Sequence, residues 1–181
     1  MTKIPEVLQQ TDASPKWHMI GHIQSRKARD VVPLFDYVHS IDSLKLARKL
    51  SGLAEQENKT LDVFLEINIS GEAEKYGFNA YEWQKHSKVH DALWQAAAEI
   101  DQLPALNVVG LMTMAPFVDD AEETRPVFAG LAELRAALSE SLNIVLPHLS
   151  MGMTNDYSVA IEEGATMVRV GTAIFGARPT I

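Results

Sequence analysis

Residues 147–176 read PHLSMGMTNDYSVAIEEGATMVRVGTAIFG, and this stretch decides the predicted fold. Its first part is a short apolar run that ends in a Ser/Gly turn, which predicts a strand over residues 147–154. Asn155 and Asp156 follow as N-cap candidates, because their short polar side chains can accept a hydrogen bond from a free N–H group. They predict a helix over residues 157–163.

The second part of the stretch repeats the pattern. Gly164 stands where the helix is expected to stop. Residues 166–170 predict another strand, Gly171 and Thr172 form a loop, and residues 173–176 begin a short helix. Successive strand–loop–helix units are typical of folds built on a parallel sheet.

Both loops after these strands combine a glycine with a hydroxyl group. Ser150 precedes Gly152, and Thr172 follows Gly171. A glycine lets the backbone approach an anion closely, and the following helix N-terminus presents unpaired N–H groups. Paired loops after the last two strands of an α/β barrel are a recurrent phosphate site, so the pattern predicts one here. The alternative is that both glycines only make tight turns.

The rest of the chain alternates in the same way between apolar strands and amphipathic helices. A complete α/β barrel has eight βα units in about 250 residues, whereas this chain of 181 residues offers six. We therefore predict a single-domain TIM-type barrel over residues 1–181 that is incomplete, with residues 1–16 as the remnant of an N-terminal helix and loop. The predicted strands are 17–23, 37–41, 61–69, 108–114, 147–154 and 166–170, and the helices between them begin after a cap at Asp42, at a capping pair of Asn79 and Glu82, and near Thr124.

Composition excludes several classes of protein. The formal net charge of -8 argues against nucleic acid or an anionic membrane as the main partner. The absence of cysteine excludes disulfides and thiolate chemistry. No stretch reaches the roughly 18 uninterrupted apolar residues that a membrane-spanning helix needs. We expect a cytoplasmic protein.

Polar, hydrogen-bonding residues end every predicted strand, which favours a cleft for a polar small molecule over ordinary loop polarity. His22 and His39 lack a third ligand at convincing spacing, so no metal site is predicted. Neither a Ser/His/Asp set nor a G-x-S-x-G elbow is found, and no catalytic residue is assigned. The residues at these strand ends are His22, Gln24, His39, Ser40, Asp42, Asn68, Ser70, Thr113, Ser150, Thr154, Arg169, Gly171 and Thr172.

Arg169 is a charged residue in an otherwise apolar strand, one residue away from the Gly171-Thr172 loop. A buried arginine is rare without a partner. A ligand atom held by the same loops would supply that partner. The alternative is a salt bridge to a carboxylate of the barrel, such as Asp62 or Glu66.

The sequence resembles the pyridoxal phosphate homeostasis protein family, whose members are single-domain barrels related to the N-terminal domain of alanine racemase. The resemblance begins with WHMIGHIQSRK at residues 17–27 and extends, in order, to about residue 178. The further matching motifs are HSID at 39–42, EINIS at 66–70, KYGF at 75–78, GLMTM at 110–114, LSMGMTND at 149–156 and VRVGTAIFG at 168–176.

The resemblance implies that pyridoxal 5'-phosphate binds at the barrel mouth. A permanently charged guanidinium beside the pyridine nitrogen disfavours protonation of that nitrogen, so the ring withdraws electrons less well. The family accordingly implies cofactor holding in vitamin B6 and amino-acid balance, without established catalysis. The matching positions are Ser150, Gly171 and Thr172 for the phosphate, Met151 and Gly152 in the same loop, and Arg169 for the pyridine nitrogen; Thr154 stands where relatives usually have serine.

The chain departs from the family at its start. Relatives begin with two further βα units, the first of which carries the lysine that attaches the cofactor covalently, and the second an asparagine near the ring. Residues 1–10 match the tail of the second helix. We therefore expect a truncated or degenerate homologue in which none of the nine lysines takes the covalent role; Lys27, beside Arg26, is the less improbable substitute, and Lys75 is the other loop lysine on the ligand side.

Two other functions stay open at this point. The first is an amino-acid racemase, although alanine racemase takes its second base from an additional β-domain, which we do not expect after Ile181. The second is a fragment with impaired cofactor binding. An incomplete barrel would leave unpaired strand edges at residues 17–23 and 166–170, which predicts self-association.

Overall fold

The computed structural model describes residues 14–176, and its centre is a parallel β-sheet. Six strands lie in the order β1-β2-β3-β5-β6-β7, and the two-residue β4 pairs with the end of β3. All neighbouring strands are parallel, which confirms the alternation predicted from the sequence. In chain order the strands are β1 His18–Met19, β2 Tyr37–Ile41, β3 Leu61–Asn68, β4 Phe78–Asn79, β5 Leu106–Met112, β6 His148–Met153 and β7 Met167–Arg169.

Helices connect the strands, and with them the sheet forms an incomplete α/β barrel, as predicted. None of the helices in the described part of the chain is both long and apolar enough to cross a membrane. The helices are α1 Ala28–Val31, α2 Leu44–Gln56, α3 Ser87–Asp101, α4 Arg125–Leu142, α5 Tyr157–Glu162 and α6 Thr172–Phe175, with single 3-10 turns at Ser25–Lys27 and Ala121–Thr124.

Strand β3 shows how the sheet separates an outer core from the barrel interior. Val63 and Ile67 are buried in the large apolar cluster that joins sheet and helices. Phe64 points to the other face, where it packs in a small cluster with Met112. Glu66 follows Phe64 on that inner face, because side chains alternate along a strand. The interior is therefore apolar at the level of Phe64 and becomes polar toward the carboxyl ends of the strands.

The predicted first strand, 17–23, is confirmed only over His18–Met19, which pairs with the start of β2. Beyond Met19 the chain leaves the sheet. The hydroxyl group of Ser40 donates a hydrogen bond of 2.7 Å to the carbonyl oxygen of Gly21. This side-chain hydrogen bond stands where a backbone hydrogen bond between the two strands would otherwise form. Residues 20–24 consequently form an irregular segment over the carboxyl end of the sheet.

Two predicted helix starts are wrong. Ser43, and not Asp42, caps α2, since its hydroxyl oxygen accepts a hydrogen bond of 3.3 Å from the N–H group of Leu46. The helix expected from Asn79 begins only at Ser87. Asn79 instead belongs to β4, and the turn that follows holds Glu82 in the left-handed region at φ 47°. A short parallel strand with a turn after it gives no periodic signal in the sequence.

Asp156 occupies the N-cap position of α5, but its side chain does not cap the helix. The carboxylate oxygen Oδ1 instead accepts a hydrogen bond of 2.6 Å from the backbone N–H group of Met153. Asp156 therefore closes the loop after β6 back onto the end of that strand. This contact holds in place the loop that borders the site described below.

The strands at the two ends of the sheet are β1 and β7. Within residues 14–176 each of them pairs on one side only. Apolar side chains near these edges are accessible, with Ile20 48% and Val168 37% exposed. The predicted N-terminal remnant falls largely on residues 1–13, which lie outside the described residues.

Self-association of the 181-residue chain therefore stays a prediction. We expect dimers or larger species at micromolar concentration, because strand edges offer unpaired backbone groups beside accessible apolar side chains. Sedimentation velocity measures the species present, and Ile20→Lys should shift them toward monomer by placing a charge at the edge. A monodisperse monomer of the unaltered chain that melts cooperatively would contradict the prediction.

Candidate functional site

Two adjoining cavities open at the carboxyl end of the sheet, where parallel strands bring their polar ends together. The smaller has a volume of about 300 Å³ and lies between the loops after β5, β6 and β7. The larger has a volume of about 680 Å³ and lies against the ends of β1, β2, β6 and β7. Met153, Arg169 and Gly171 border both, so the two cavities form one continuous site.

The two cavities differ in character. The smaller is lined by Pro116, Phe117, Val118, Ala121, Met153, Thr154, Asn155, Asp156, Arg169, Gly171 and Thr172. The larger is lined by His18, Ile20, His39, Met114, Met153, Met167, Val168, Arg169, Val170 and Gly171. Apolar side chains line much of both cavities, but the smaller one also has the hydroxyl groups of Thr154 and Thr172 and the carboxylate of Asp156, whereas the larger one has the imidazoles of His18 and His39. A molecule with an anionic end and a flat ring fits such a pair.

Arg169 is the cation of the site and is partly buried between β5 and β6. One guanidinium nitrogen, Nη1, donates to the hydroxyl oxygen of Ser150 at 2.9 Å and to its carbonyl oxygen at 3.0 Å. The other, Nη2, donates to the carbonyl oxygen of Thr113 at 2.9 Å. Burial lowers the pKa of Arg169, and the carboxylates of Asp156 and Glu66 oppose that shift. Three neutral acceptors thus hold the guanidinium.

The alternative considered for Arg169, a salt bridge to Asp62 or Glu66, is not formed among residues 14–176, since each carboxylate lies beyond the ion-pair distance of 4.0 Å. Asp62 instead accepts a hydrogen bond of 2.7 Å from the side chain of Asn107. The positive charge of Arg169 is therefore not cancelled by direct contact with a carboxylate of the described chain. This charge is therefore available to attract an anionic or electron-rich ligand.

Glu66 is a second ionisable group at this level of the barrel interior. It is only 4% exposed, and its oxygen Oε2 is buried without a hydrogen-bond partner in the described chain. Burial and the Asp42 carboxylate raise the pKa of Glu66 to about 7, against the opposing charge of Arg169. An isolated buried carboxyl group with a raised pKa is typical of functional sites.

Of the six residues predicted to bind the cofactor, three border the cavities. Arg169 and Gly171 border both, and Thr172 borders the smaller one. A Cβ atom added to Gly171 would meet nothing within 4 Å, so the backbone there is open to a ligand. Thr172 is the first residue of α6, and its N–H group has no partner within that helix.

The other three residues lie deeper in the structure. Ser150 and Met151 are fully buried within β6, and the Ser150 hydroxyl group contacts Arg169 and His39. Gly152 has φ 91°, and a Cβ atom there would lie 2.6 Å from Cβ of Ala160. Packing against α5, together with the left-handed backbone, explains this glycine.

Thr154 is the hydroxyl residue of this loop that borders the smaller cavity. It is among the polar residues predicted at the strand ends, but not among the six residues predicted to bind the cofactor. Strand β6 ends at Met153, one residue before the predicted end of the strand at residue 154. The hydroxyl residue after the strand is consequently Thr154, whereas Ser150 lies inside it. The serine or threonine at this position of the family motif was the signal available in the sequence.

The two histidines considered as metal ligands have other contacts. His22 lies 3.1 Å from the carboxylate of Asp42 and stacks on Tyr76 with ring centroids 3.9 Å apart. His39 contacts Ser150 and His18. Across residues 14–176 there is no group of three or more His, Cys, Asp or Glu side chains arranged to hold a metal ion.

Neither Lys27 nor Lys75, the two loop lysines on the ligand side, lines either cavity, and each contacts a carboxylate. Lys27 pairs with Asp30 at 3.6 Å and is 57% exposed. Lys75 is less exposed, at 19%, and its Nζ atom contacts Glu72 at 2.6 Å. The same nitrogen donates to the carbonyl oxygen of Met114 at 3.1 Å, and Met114 borders the larger cavity.

Comparison with known proteins identifies relatives over most of the chain. The profile of a family described as "Alanine racemase, N-terminal domain" matches residues 2–179. The pyridoxal phosphate homeostasis protein of Aquifex aeolicus is 40% identical over 167 residues, which are 92% of this chain and 69% of that protein. The protein of the same name from Vibrio alginolyticus is 43% identical over 163 residues, or 90% and 65%. The chain thus spans about two thirds of the length of these curated relatives.

Solved structures agree with the sequence relatives. PipY of Synechococcus elongatus with PLP bound has a TM-score of 0.82 and 32% identity, covering 97% of this chain and 76% of PipY. The alanine racemase of Clostridium difficile has a TM-score of 0.68 at 16% identity, covering 97% and 43%. The second likeness is one of fold alone.

Proposed function

We propose that this chain, which belongs to the alanine racemase N-terminal domain family and within it to the pyridoxal phosphate homeostasis proteins, binds pyridoxal 5'-phosphate. The proposed role is to hold the cofactor, in the balance of vitamin B6 and amino acids, without catalysing a reaction on it. The proposal rests on the two joined cavities and on the relatives, one of which, PipY, has a structure with PLP bound.

The single observation that carries the proposal is the open backbone at Gly171 between the two cavities. A Cβ atom there would meet nothing within 4 Å, yet the residue borders both cavities. The N–H groups and hydroxyl groups of Gly171, Thr172 and Thr154 would hold the phosphate in the smaller cavity. Donors of this kind suit a phosphate, since backbone N–H and hydroxyl groups supply most of the hydrogen bonds in loop anion sites.

The larger cavity would take the ring, because apolar side chains of Met114, Met153 and Met167 line it. Arg169 borders the same space and would face the pyridine nitrogen. Pyridoxal phosphate supplies an electron-withdrawing ring when it is bound. A fixed positive guanidinium beside the nitrogen keeps a proton off it and weakens that withdrawal, which favours holding over catalysis.

The experiment that tests the proposal is a calorimetric titration of the chain with pyridoxal 5'-phosphate, pyridoxal and inorganic phosphate. We expect saturable binding of pyridoxal phosphate at one site per chain, and affinity at least 100-fold lower for pyridoxal, which lacks the charged group that the smaller cavity fits. Equal affinity for both compounds would contradict a phosphate-binding role of the smaller cavity.

A racemase assay tests the non-catalytic part. The loaded chain is incubated with L-alanine and, separately, with other L-amino acids, and the enantiomers are separated by chiral chromatography. We expect no D-enantiomer above the level given by pyridoxal phosphate alone. Formation of D-amino acid at a rate proportional to the protein concentration would overturn the proposed role.

Covalent attachment is a separate prediction for this chain. After addition of pyridoxal phosphate and reduction with borohydride, peptide mapping should show weak labelling spread over several lysines. A lysine becomes a good nucleophile when burial or a neighbouring cation favours its neutral amine, and the loop lysines Lys27 and Lys75 instead contact carboxylates. Lys75→Arg keeps the positive charge beside Met114 but removes the amine that could be labelled, so it is the matched control for labelling at Lys75. Stoichiometric labelling of one lysine would refute the prediction.

A further inference from the structure

Four side chains form a continuous hydrogen-bonded row from the larger cavity to the guanidinium of Arg169. His18 Nδ1 lies 2.8 Å from His39 Nε2. His39 Nδ1 lies 2.8 Å from the hydroxyl oxygen of Ser150, which in turn lies 2.9 Å from Nη1 of Arg169. The residues come from β1, β2, β6 and β7, so the row crosses the whole carboxyl end of the sheet.

The chemistry of the end groups fixes the direction of this row. Arg169 can only donate, so the Ser150 oxygen accepts from it. Ser150 is fully buried, and the contacts of its hydroxyl oxygen in the described chain are Arg169 and His39. Its own proton is therefore satisfied only if it is donated to Nδ1 of His39. A buried hydroxyl proton left without a partner would be destabilising.

The direction of the hydrogen bonds beyond Ser150, toward His18 at the outer end of the row, follows from the two histidines. His39 accepts at Nδ1 and is neutral, since burial and the nearby His18 and Arg169 lower the pKa of His39 to about 3. A neutral imidazole carries one proton, which then sits on Nε2 and is donated to Nδ1 of His18. His18 in its neutral form keeps its own proton on Nε2. His39 is held in this orientation by stacking on Phe64, with ring centroids 4.2 Å apart.

We propose that Ser150 and His39 are positioning residues for Arg169: the one-way row Arg169→Ser150→His39→His18 fixes the guanidinium and leaves the Nε2–H group of His18 as a donor at the larger cavity. That donor would favour ligands with a hydrogen-bond acceptor beside the ring, such as the phenolic oxygen of a hydroxypyridine. The ligand part of this inference rests on the proposed function, whereas the direction of the row is a property of the chain itself.

The direction is tested without any ligand, by nitrogen NMR of the 15N-histidine-labelled chain at pH 8. We expect His18 and His39 both to carry the proton on Nε2. In Ser150→Ala, His39 should lose this single form and populate both tautomers, while Ser150→Thr, which keeps the hydroxyl group, should restore it. His90, on the outside in α3, is the control signal. A proton on Nδ1 of His39 in the unaltered chain would overturn the proposal.

The positioning role is tested with pyridoxal 5'-phosphate bound. Ser150→Ala should weaken binding about tenfold and shift the absorption maximum of the bound cofactor in the same direction as Arg169→Lys. The double variant should lose no more than Arg169→Lys alone, because both changes act on one guanidinium. Additive losses, or an unshifted spectrum in Ser150→Ala, would contradict the role. If the unaltered chain fails to bind the compound, the proposed function fails while the NMR result still decides the direction of the row.

Discussion

Replacing Gly171 by valine should lower the affinity of the chain for pyridoxal 5'-phosphate by about 100-fold, which corresponds to about 3 kcal/mol. Gly171 borders both cavities, and an added Cβ atom meets nothing within 4 Å. Its φ of -119° lies outside the left-handed region that favours glycine. The side chain would instead fill the space that the phosphate needs. Calorimetric titration measures the loss, and thermal unfolding should be unchanged within about 0.5 kcal/mol.

Two other glycines make matched controls for this variant. Gly152→Val should destabilise the fold by about 3 kcal/mol, because its Cβ atom would lie 2.6 Å from Ala160 at a φ of 91°. Gly52→Ala, in the middle of α2 with nothing within 4 Å, should raise stability by about 1 kcal/mol and leave binding unchanged. Normal binding by Gly171→Val would mean that the phosphate lies elsewhere.

Replacing Glu66 by glutamine should make the chain more stable at pH 8 than the unaltered chain, by about 3 kcal/mol, but not at pH 4.5. The raised pKa of Glu66, about 7 against 4.5 for an ordinary carboxyl, means that the folded state prefers the protonated form. Below pH 4.5 the group is protonated in both states and has no effect. Stability is lost as the pH rises from 4.5 to 7, and the loss then stays constant. Glutamine is neutral at every pH, so the variant does not lose this stability.

Urea denaturation of both proteins at pH 4.5, 6 and 8 measures this difference, and comparison with the unaltered chain cancels the titration of all other groups. Glu72→Gln is the control. Its carboxylate is 46% exposed and has a lowered pKa through its hydrogen bond to Lys75, so its loss should not raise stability at pH 8. A Glu66→Gln difference that is independent of pH would show that Glu66 has the same pKa in the folded and unfolded states, which contradicts the prediction.

The sheet could be predicted from the sequence because its central strands carry strong local signals. Strand β2 has the bounds expected from its apolar run, and β3 ends one residue earlier than predicted. The first strand was overestimated: beyond Met19, Ile23 is buried but has no ladder partner, and Ile20 is exposed. Periodicity reports burial, and burial alone does not distinguish a paired strand from a packed irregular segment.

The site was predictable in part for the same reason. Gly171 and Thr172 follow directly on a recognisable strand, so their position at its carboxyl end could be inferred. Ser150 was predicted to hold the phosphate; it lies buried within β6, which ends at Met153, one residue before the predicted end of the strand, and its hydroxyl group contacts Arg169 and His39. The contact of His18 with His39 joins residues 21 positions apart on two strands, and such a pairing depends on strand register, which the sequence does not encode locally.

In the proposed complex, the loops after β6 and β7 hold the phosphate of pyridoxal 5'-phosphate while Arg169 faces the ring. A crystal structure of the chain in complex with that compound tests it most directly. We expect phosphate oxygens within hydrogen-bond distance of the N–H groups of Gly171 and Thr172 and of the Thr154 hydroxyl, with the pyridine nitrogen against Arg169. A phosphate bound away from these loops, or a ring turned with its nitrogen away from Arg169, would contradict it.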